Sequence, residues 1–188
     1  MKNFKFLTFA FISIVAVSTI FYMNSCNPDP CKDVVCQNGG TCVDGTCGCL
    51  TGYEGTNCET EMRTKFLLSA SSFTESGTTD SSYNHVVHNY SNTYNMTITK
   101  GSDVNTILIE NLGNYGCSSG SYTVTGTMTA STAFTIASQA VCGTTFSGSG
   151  TINSNGKISI TYTATYPDGT VGHPAGSTVT DNYTATQN

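Results

Sequence analysis

Six cysteines crowd one short stretch of this chain, at Cys31, Cys36, Cys42, Cys47, Cys49 and Cys58. So small a segment buries too little apolar surface to offset its chain entropy, and it must be held by cross-links or a metal. Closing loops of about ten to fifteen residues contributes roughly 3 kcal/mol per bridge by chain-entropy reasoning. Two turn signatures sit among the cysteines: Asn38-Gly39-Gly40-Thr41 before the third and Gly52-Tyr53-Glu54-Gly55 before the last. Cys47-Gly48-Cys49 has the look of a chelating pair, but no histidine lies near it, and export favours oxidised sulfur.

The spacing and the two turns together resemble an epidermal growth factor-like (EGF-like) module over residues 31–59. Spacing alone leaves the connectivity open. The resemblance implies first to third, second to fourth and fifth to sixth: Cys31 with Cys42, Cys36 with Cys47, Cys49 with Cys58. Calcium-binding members of the family carry acidic residues just before the first cysteine and an Asn or Asp with an aromatic between the third and fourth. Here Asp29-Pro30 precedes Cys31 and Val43-Asp44-Gly45-Thr46 is too short for the second element, so no calcium is expected.

Lys2 and Lys5 precede an apolar run from Phe6 to Met23, the charged and apolar regions of a signal peptide over residues 1–25. The run is also close to the length of a short membrane span. Cys26 decides the reading, because neither the six-cysteine module nor the later pair uses it. With Ser25 before it and Asn27-Pro28-Asp29-Pro30 after it, it resembles the acylated cysteine of a bacterial lipoprotein, residues 26–30 forming a tether. Asn24 and Met23 depart from the small and aliphatic residues of the usual lipobox. The resemblance implies a membrane partner through acylated Cys26 and a place in the bacterial cell envelope, at the outer membrane or cell surface. Cleavage before Cys26 leaves 163 residues with a net charge of −7, so nucleic acid is not expected as a partner.

From Met62 to Asn188 the texture changes: 43 of 127 residues are Ser or Thr. A disordered stalk would share that composition, but not the periodicity. Tyr94, Met96 and Ile98 alternate with polar residues, as do Ile158, Ile160, Tyr162, Ala164 and Tyr166. Period two with β-branched residues on the wet face predicts half-buried antiparallel strands. They are drawn at about 64–74, 83–90, 93–100, 104–112, 120–129, 132–141, 144–153, 157–166 and 178–186, with no helical stripe anywhere. One all-β domain over residues 62–188 must be a sandwich or a closed barrel, and hairpins at about ten-residue spacing favour an antiparallel up-and-down barrel. The order of anchor cysteine, EGF-like module and Thr-rich β domain resembles small surface lipoproteins whose second domain is lipocalin-like.

Pairing Ile152 with Ile158 makes Ser154-Asn155-Gly156 a three-residue loop and sets Gly148 opposite Tyr162 and Gly150 opposite Ile160, large side chains over bare backbone. Cys117 and Cys142 fall at the open end of a hairpin that turns near Thr129-Ala130-Ser131. Matching Val124 to Phe134 or Ile136 offsets the two by one position, so at least one must sit in a loop. A disulfide is expected, with two buried thiols as the alternative.

Chemistry is sparse. His85 and His88, with Asp80, Glu75 or His173, invite a metal reading, but positions three apart on a strand point to opposite faces. No two carboxylates of the β domain share a strand face, and no serine sits in a Gly-x-Ser-x-Gly elbow, so neither an enzyme nor a cofactor is expected. Asn89, Asn95 and Asn182 open glycosylation triplets that are inert if Cys26 is a bacterial acylation site. The sequence therefore reads as a non-enzymatic surface lipoprotein that binds a protein or glycan. The alternative is a lipocalin-like carrier of a small apolar ligand, in a cavity lined by Tyr94, Met96, Ile98, Phe134, Ile136 and Tyr162.

Overall fold

The computed structural model describes residues 28–117, 120–169 and 174–188; the leader, Cys26 and His173 lie outside the described residues. The cysteine-rich segment forms two small antiparallel ladders, β1 (Thr41–Val43) with β2 (Thr46–Gly48) and β3 (Tyr53–Glu54) with β4 (Thr60–Glu61). Asp44 and Gly45 both take positive φ, 49° and 81°, which lets β1 reverse into β2 in two residues. Disulfides join Cys31 to Cys42, Cys36 to Cys47 and Cys49 to Cys58, with Cα separations of 5.8, 5.6 and 5.3 Å.

After Glu61 the chain makes a 3-10 turn over Met62–Phe66 and then eight strands. These are β5 (Leu68–Ser81), β6 (Val87–Lys100), β7 (Thr106–Glu110), β8 (Thr123–Ala130), β9 (Ala133–Val141), β10 (Thr144–Ile152), β11 (Ile158–Pro167) and β12 (Thr178–Gln187). Each pairs antiparallel with its sequence neighbours and β12 closes onto β5, giving the up-and-down barrel that the alternation predicts. The base of the barrel lies beside the disulfide module. The mouth, at the other end, carries the β5–β6, β7–β8, β9–β10 and β11–β12 connections.

Two strand assignments change. The ranges 83–90 and 93–100 merge into one strand that begins only at Val87, residues 83–86 forming the hairpin loop, because Ser91-Asn92 is merely the polar, outlying part of β6 and contains neither Gly nor Pro. The first strand starts later and runs further than 64–74. Met62–Phe66 turns to plug Phe66 into the base, and the upper part of β5 looks irregular in sequence because its inner face carries Glu75, Gly77 and Thr79.

The β10–β11 register is the expected one, with Gly148 opposite Tyr162, Gly150 opposite Ile160 and Ile152 opposite Ile158. Gly156 takes φ +75° in the loop. The side chain that fills the space over Gly150 is Phe134 of β9, whereas the register alone pointed to Ile160; Gly150 has an inward-facing neighbour on each side. On the β8–β9 hairpin Met128, not Val124, opposes Phe134, since the turn falls later, after Ala130, with an irregularity beside it. Above that point the side chain of Gln139 stands in for the ladder: Oε1 accepts from the Thr125 N–H at 2.9 Å and Nε2 donates to the Thr125 carbonyl at 2.8 Å. Cys117 and Cys142 close the splayed end in a disulfide, both outside strands, with Cα atoms 5.6 Å apart.

Arg63 joins the two parts. It is nearly buried, and its guanidinium donates to the carbonyls of Gly101 (2.9 Å) and Asp103 (2.5 Å) in the β6–β7 connection and of Thr106 (3.2 Å) at the start of β7, while Nε meets Glu61 at 3.0 Å. Gly52 of the module sits against Val104 on the same connection.

Candidate functional site

The six side chains expected to line a cavity all point into the barrel and belong to one packed cluster. Met96, Ile98, Phe134, Ile136 and Tyr162 are at most 3% exposed and Tyr94 7%. Phe134 occupies the middle of the lower half: its ring fills the space over Gly126 and Gly150, and it meets Phe66 edge-on at 5.3 Å. A side chain facing a ligand-sized void would keep accessible surface, and these do not.

The upper half is different in kind. Glu75 on β5 and Asp181 on β12 both face the interior, at 0% and 2% exposure. Tyr94 and Tyr162 both donate to Oε2 of Glu75, the former at 2.8 Å, and Tyr94 accepts from the Gly113 N–H at 2.8 Å. Tyr115 donates to Oδ2 of Asp181, while the Tyr183 hydroxyl pairs with Thr79 at 2.5 Å. The ring of Tyr183 lies against Gly77, where a Cβ would collide with it and with the Asn182 carbonyl. Oε1 of Glu75 and Oδ1 of Asp181 have no hydrogen-bond partner among the described residues. No described Lys, Arg or His contacts the cluster: Arg63 and Lys100 meet Glu61, Lys65 meets Glu54, and His85 is exposed beside Asp80.

Burial pushes the Glu75 carboxyl above its ordinary range, against the pull of the two tyrosyl hydroxyls, and the charge on Asp181 adds to the rise. Burial also lifts the phenols of Tyr94, Tyr115, Tyr122, Tyr162 and Tyr166 far above their usual value, and that of Tyr183 up to about 12. These hydroxyls stay protonated as donors. The cluster can hold a proton or present bare carboxylate oxygens, but it contains no nucleophile paired with a base. Sequence reasoning missed it because it compared carboxylates strand by strand, whereas Glu75 and Asp181 share the inner face of adjacent strands only through the closure of β12 onto β5. The cue available was a set of tyrosines at alternating positions beside lone acids.

At the mouth, Thr79, Ser81, Asn84, Val86, His88, Asp168 and Val179 line a groove of about 300 Å³, and a second of about 350 Å³ lies on the module between Asp33–Val35, Gly45-Thr46 and Thr56-Asn57. Large apolar side chains are exposed at Val35, Val43 and Leu50 on the module and at Tyr83, Val86, Val87 and Tyr90 near the tip of the β5–β6 hairpin, and of these Val35 and Val86 line the two grooves. His85 lies in the loop and His88 on the strand. Among the described residues, no three His, Cys, Asp or Glu side chains converge as metal ligands. No helix among them is long and apolar enough to cross a membrane.

No family model matches the chain. A stretch of 44 residues is 43% identical to Netrin-G2 of Homo sapiens, covering 22% of this chain and 8% of that protein, which supports the EGF-like similarity of a short disulfide-rich stretch. The chain thus spans under a tenth of that relative's length. A solved structure of unknown function from Bacteroides ovatus is 15% identical over 63% of this chain and 41% of its own, with a TM-score of 0.36, too low to carry an argument.

Proposed function

We propose that this chain is a non-enzymatic binding module of the bacterial cell envelope, held on a membrane through acylated Cys26 and contacting a protein or glycan. The observation that supports this most is the distribution of apolar surface: packed inside the barrel, and exposed at the mouth and on the module. Such small apolar patches beside open grooves of mixed lining suit protein or glycan contact. The carrier reading needs an apolar wall around a void. The six candidate residues belong to one packed cluster, and two of them, Tyr94 and Tyr162, turn their hydroxyls to the Glu75 carboxylate.

The test is binding of the full chain to envelope glycans on an array and to envelope proteins by cross-linking in cells. Val86→Asp in the mouth groove and Val35→Asp in the module groove should each lower binding about tenfold or more, with the far-ultraviolet spectrum unchanged. Binding indifferent to both substitutions, or saturable uptake of a fatty acid blocked by Ile136→Trp, would overturn the reading. Cys26→Ser should release the chain from membranes or stall its processing; retention with the leader attached would replace the lipid anchor by a spanning helix.

A further inference from the structure

Strand β6 is fourteen residues long but its neighbour β7 is five, and their pairing begins only at Thr97. From Val87 to Asn95 one side of β6 therefore has no strand beside it. Two side-chain caps show which residues turn their backbone groups to that side: the Thr93 N–H is bonded by Asn92 Oδ1 at 2.8 Å, and the Asn95 carbonyl by Asn111 Nδ2 at 2.8 Å. The even-numbered residues face β5 instead. This agrees with the far side of β5, where the Ser82 N–H and Ser72 carbonyl point to β12 and its C-terminal extension. The backbone groups of Val87, Asn89 and Ser91 thus lie on an exposed edge, and no described residue partners them there.

Natural sheets blunt such edges with Lys, Pro, bulges or a covering loop. Val87–Thr93 has no Lys or Pro, and the irregularity in the β5–β6 pairing lies far off, between Leu68 and Ser71. The stretch also carries no Asp, Glu or Arg in a chain of net charge −5, so two copies can approach here without like charges in the strands themselves. An antiparallel pair about a two-fold axis through Asn89 would set Val87 opposite Ser91 of the other copy, with each bare N–H facing a bare carbonyl.

We propose that the upper β6 edge, Val87–Ser91, is a self-association site at which two copies of this chain pair antiparallel, Asn89 against Asn89. The inference is independent of the mouth groove, which lies on the inner face of the same hairpin. Five residues bury far less than a standard interface of roughly 1,600 Å², so the association is weak in dilute solution and is favoured where copies are concentrated on one surface.

Cross-linking of the full chain in its native membranes tests it. In the proposed pair the two Asn89 Cα atoms lie about 5.5 Å apart, within the roughly 4.4–6.8 Å that a disulfide spans. Asn89→Cys should give a disulfide-linked homodimer under mild oxidation at least tenfold above both the unsubstituted chain and Thr151→Cys, an exposed position across the barrel on β10. Adding Ser91→Pro removes an edge N–H without touching the β5 ladder, and should abolish the cross-link. Asn89→Cys no more reactive than Thr151→Cys would overturn the site. So would a dimer that survives Ser91→Pro, or a mixed disulfide with another protein in place of the homodimer.

Discussion

The disulfide module and the barrel meet the same entropic demand in opposite ways. In the module, the buried apolar side chains are the cysteines Cys47 and Cys58, and three cross-links close short loops. In the barrel, twenty buried side chains form one cluster with a single disulfide at the rim. A few tens of residues cannot exclude enough water to fold by area alone; the eight-stranded sheet can. Stability in the first part is covalent and local, whereas in the second it is distributed over contacts between residues far apart in sequence. Arg63 is the hinge between the two regimes, satisfying three carbonyls of the barrel while paired with the last strand of the module.

That contrast predicts different failures. Replacing Cys36 and Cys47 together with Ser should abolish the module's fold, since loss of a native bridge costs about 2–5 kcal/mol in a segment with little else to hold it. Amide exchange should then be fast at Val43 and Thr46, the pair that closes the β1–β2 turn, and stay slow in β10 and β11. Loss of protection in both would show that the barrel leans on the module. Phe134→Ala should cost the barrel about 3–5 kcal/mol in urea unfolding, because glycines on two strands leave no side chain to refill the space. Module exchange should be unaffected. Cys142→Ala should cost about 2–4 kcal/mol yet leave the sheet intact, as its alternation is chain-wide. A barrel that fails to fold without this bridge would make the two parts alike after all.

What the sequence revealed follows the same divide. The module was legible from local signals, cysteine spacing and two turns, because covalent closure acts over about ten residues. In the barrel, strands with an apolar inner face were legible: Ile158, Ile160 and Tyr162 fixed both their own strand and the β10 register. The upper part of β5 was not, since its inner positions are Glu75, Gly77 and Thr79, and their burial comes from Tyr94, Tyr162 and Tyr183 on other strands. The pairing of Glu75 with its tyrosines is set by barrel closure, which no window of sequence contains. Met128 opposite Phe134 was missed because the turn falls after Ala130 with an irregularity between Met128 and Ala130, and a one-residue irregularity leaves no mark in the alternation.

The smallest expected effect is also the one that separates the two parts by sign. At the junction, hydrogen bonds from Arg63 and then Lys100 hold the Glu61 carboxyl down to about 2, so its contribution is present above the ordinary carboxylate range and is lost as the pH falls toward about 2. Glu75 runs the other way. Its folded-state pKa is raised, chiefly by burial, so its contribution is complete below the ordinary range and declines as the pH climbs through the raised value, where only the unfolded chain has given up its proton. One group can impose a slope of at most about 1.4 kcal/mol per pH unit. Urea midpoints followed from acid to neutral pH should therefore fall with rising pH for the barrel. Glu75→Gln keeps an oxygen to accept from Tyr94 and Tyr162 but cannot ionise, and should flatten that fall. A slope that survives in Glu75→Gln would take the fall away from this carboxyl and leave its burial without a part in the pH dependence of the barrel.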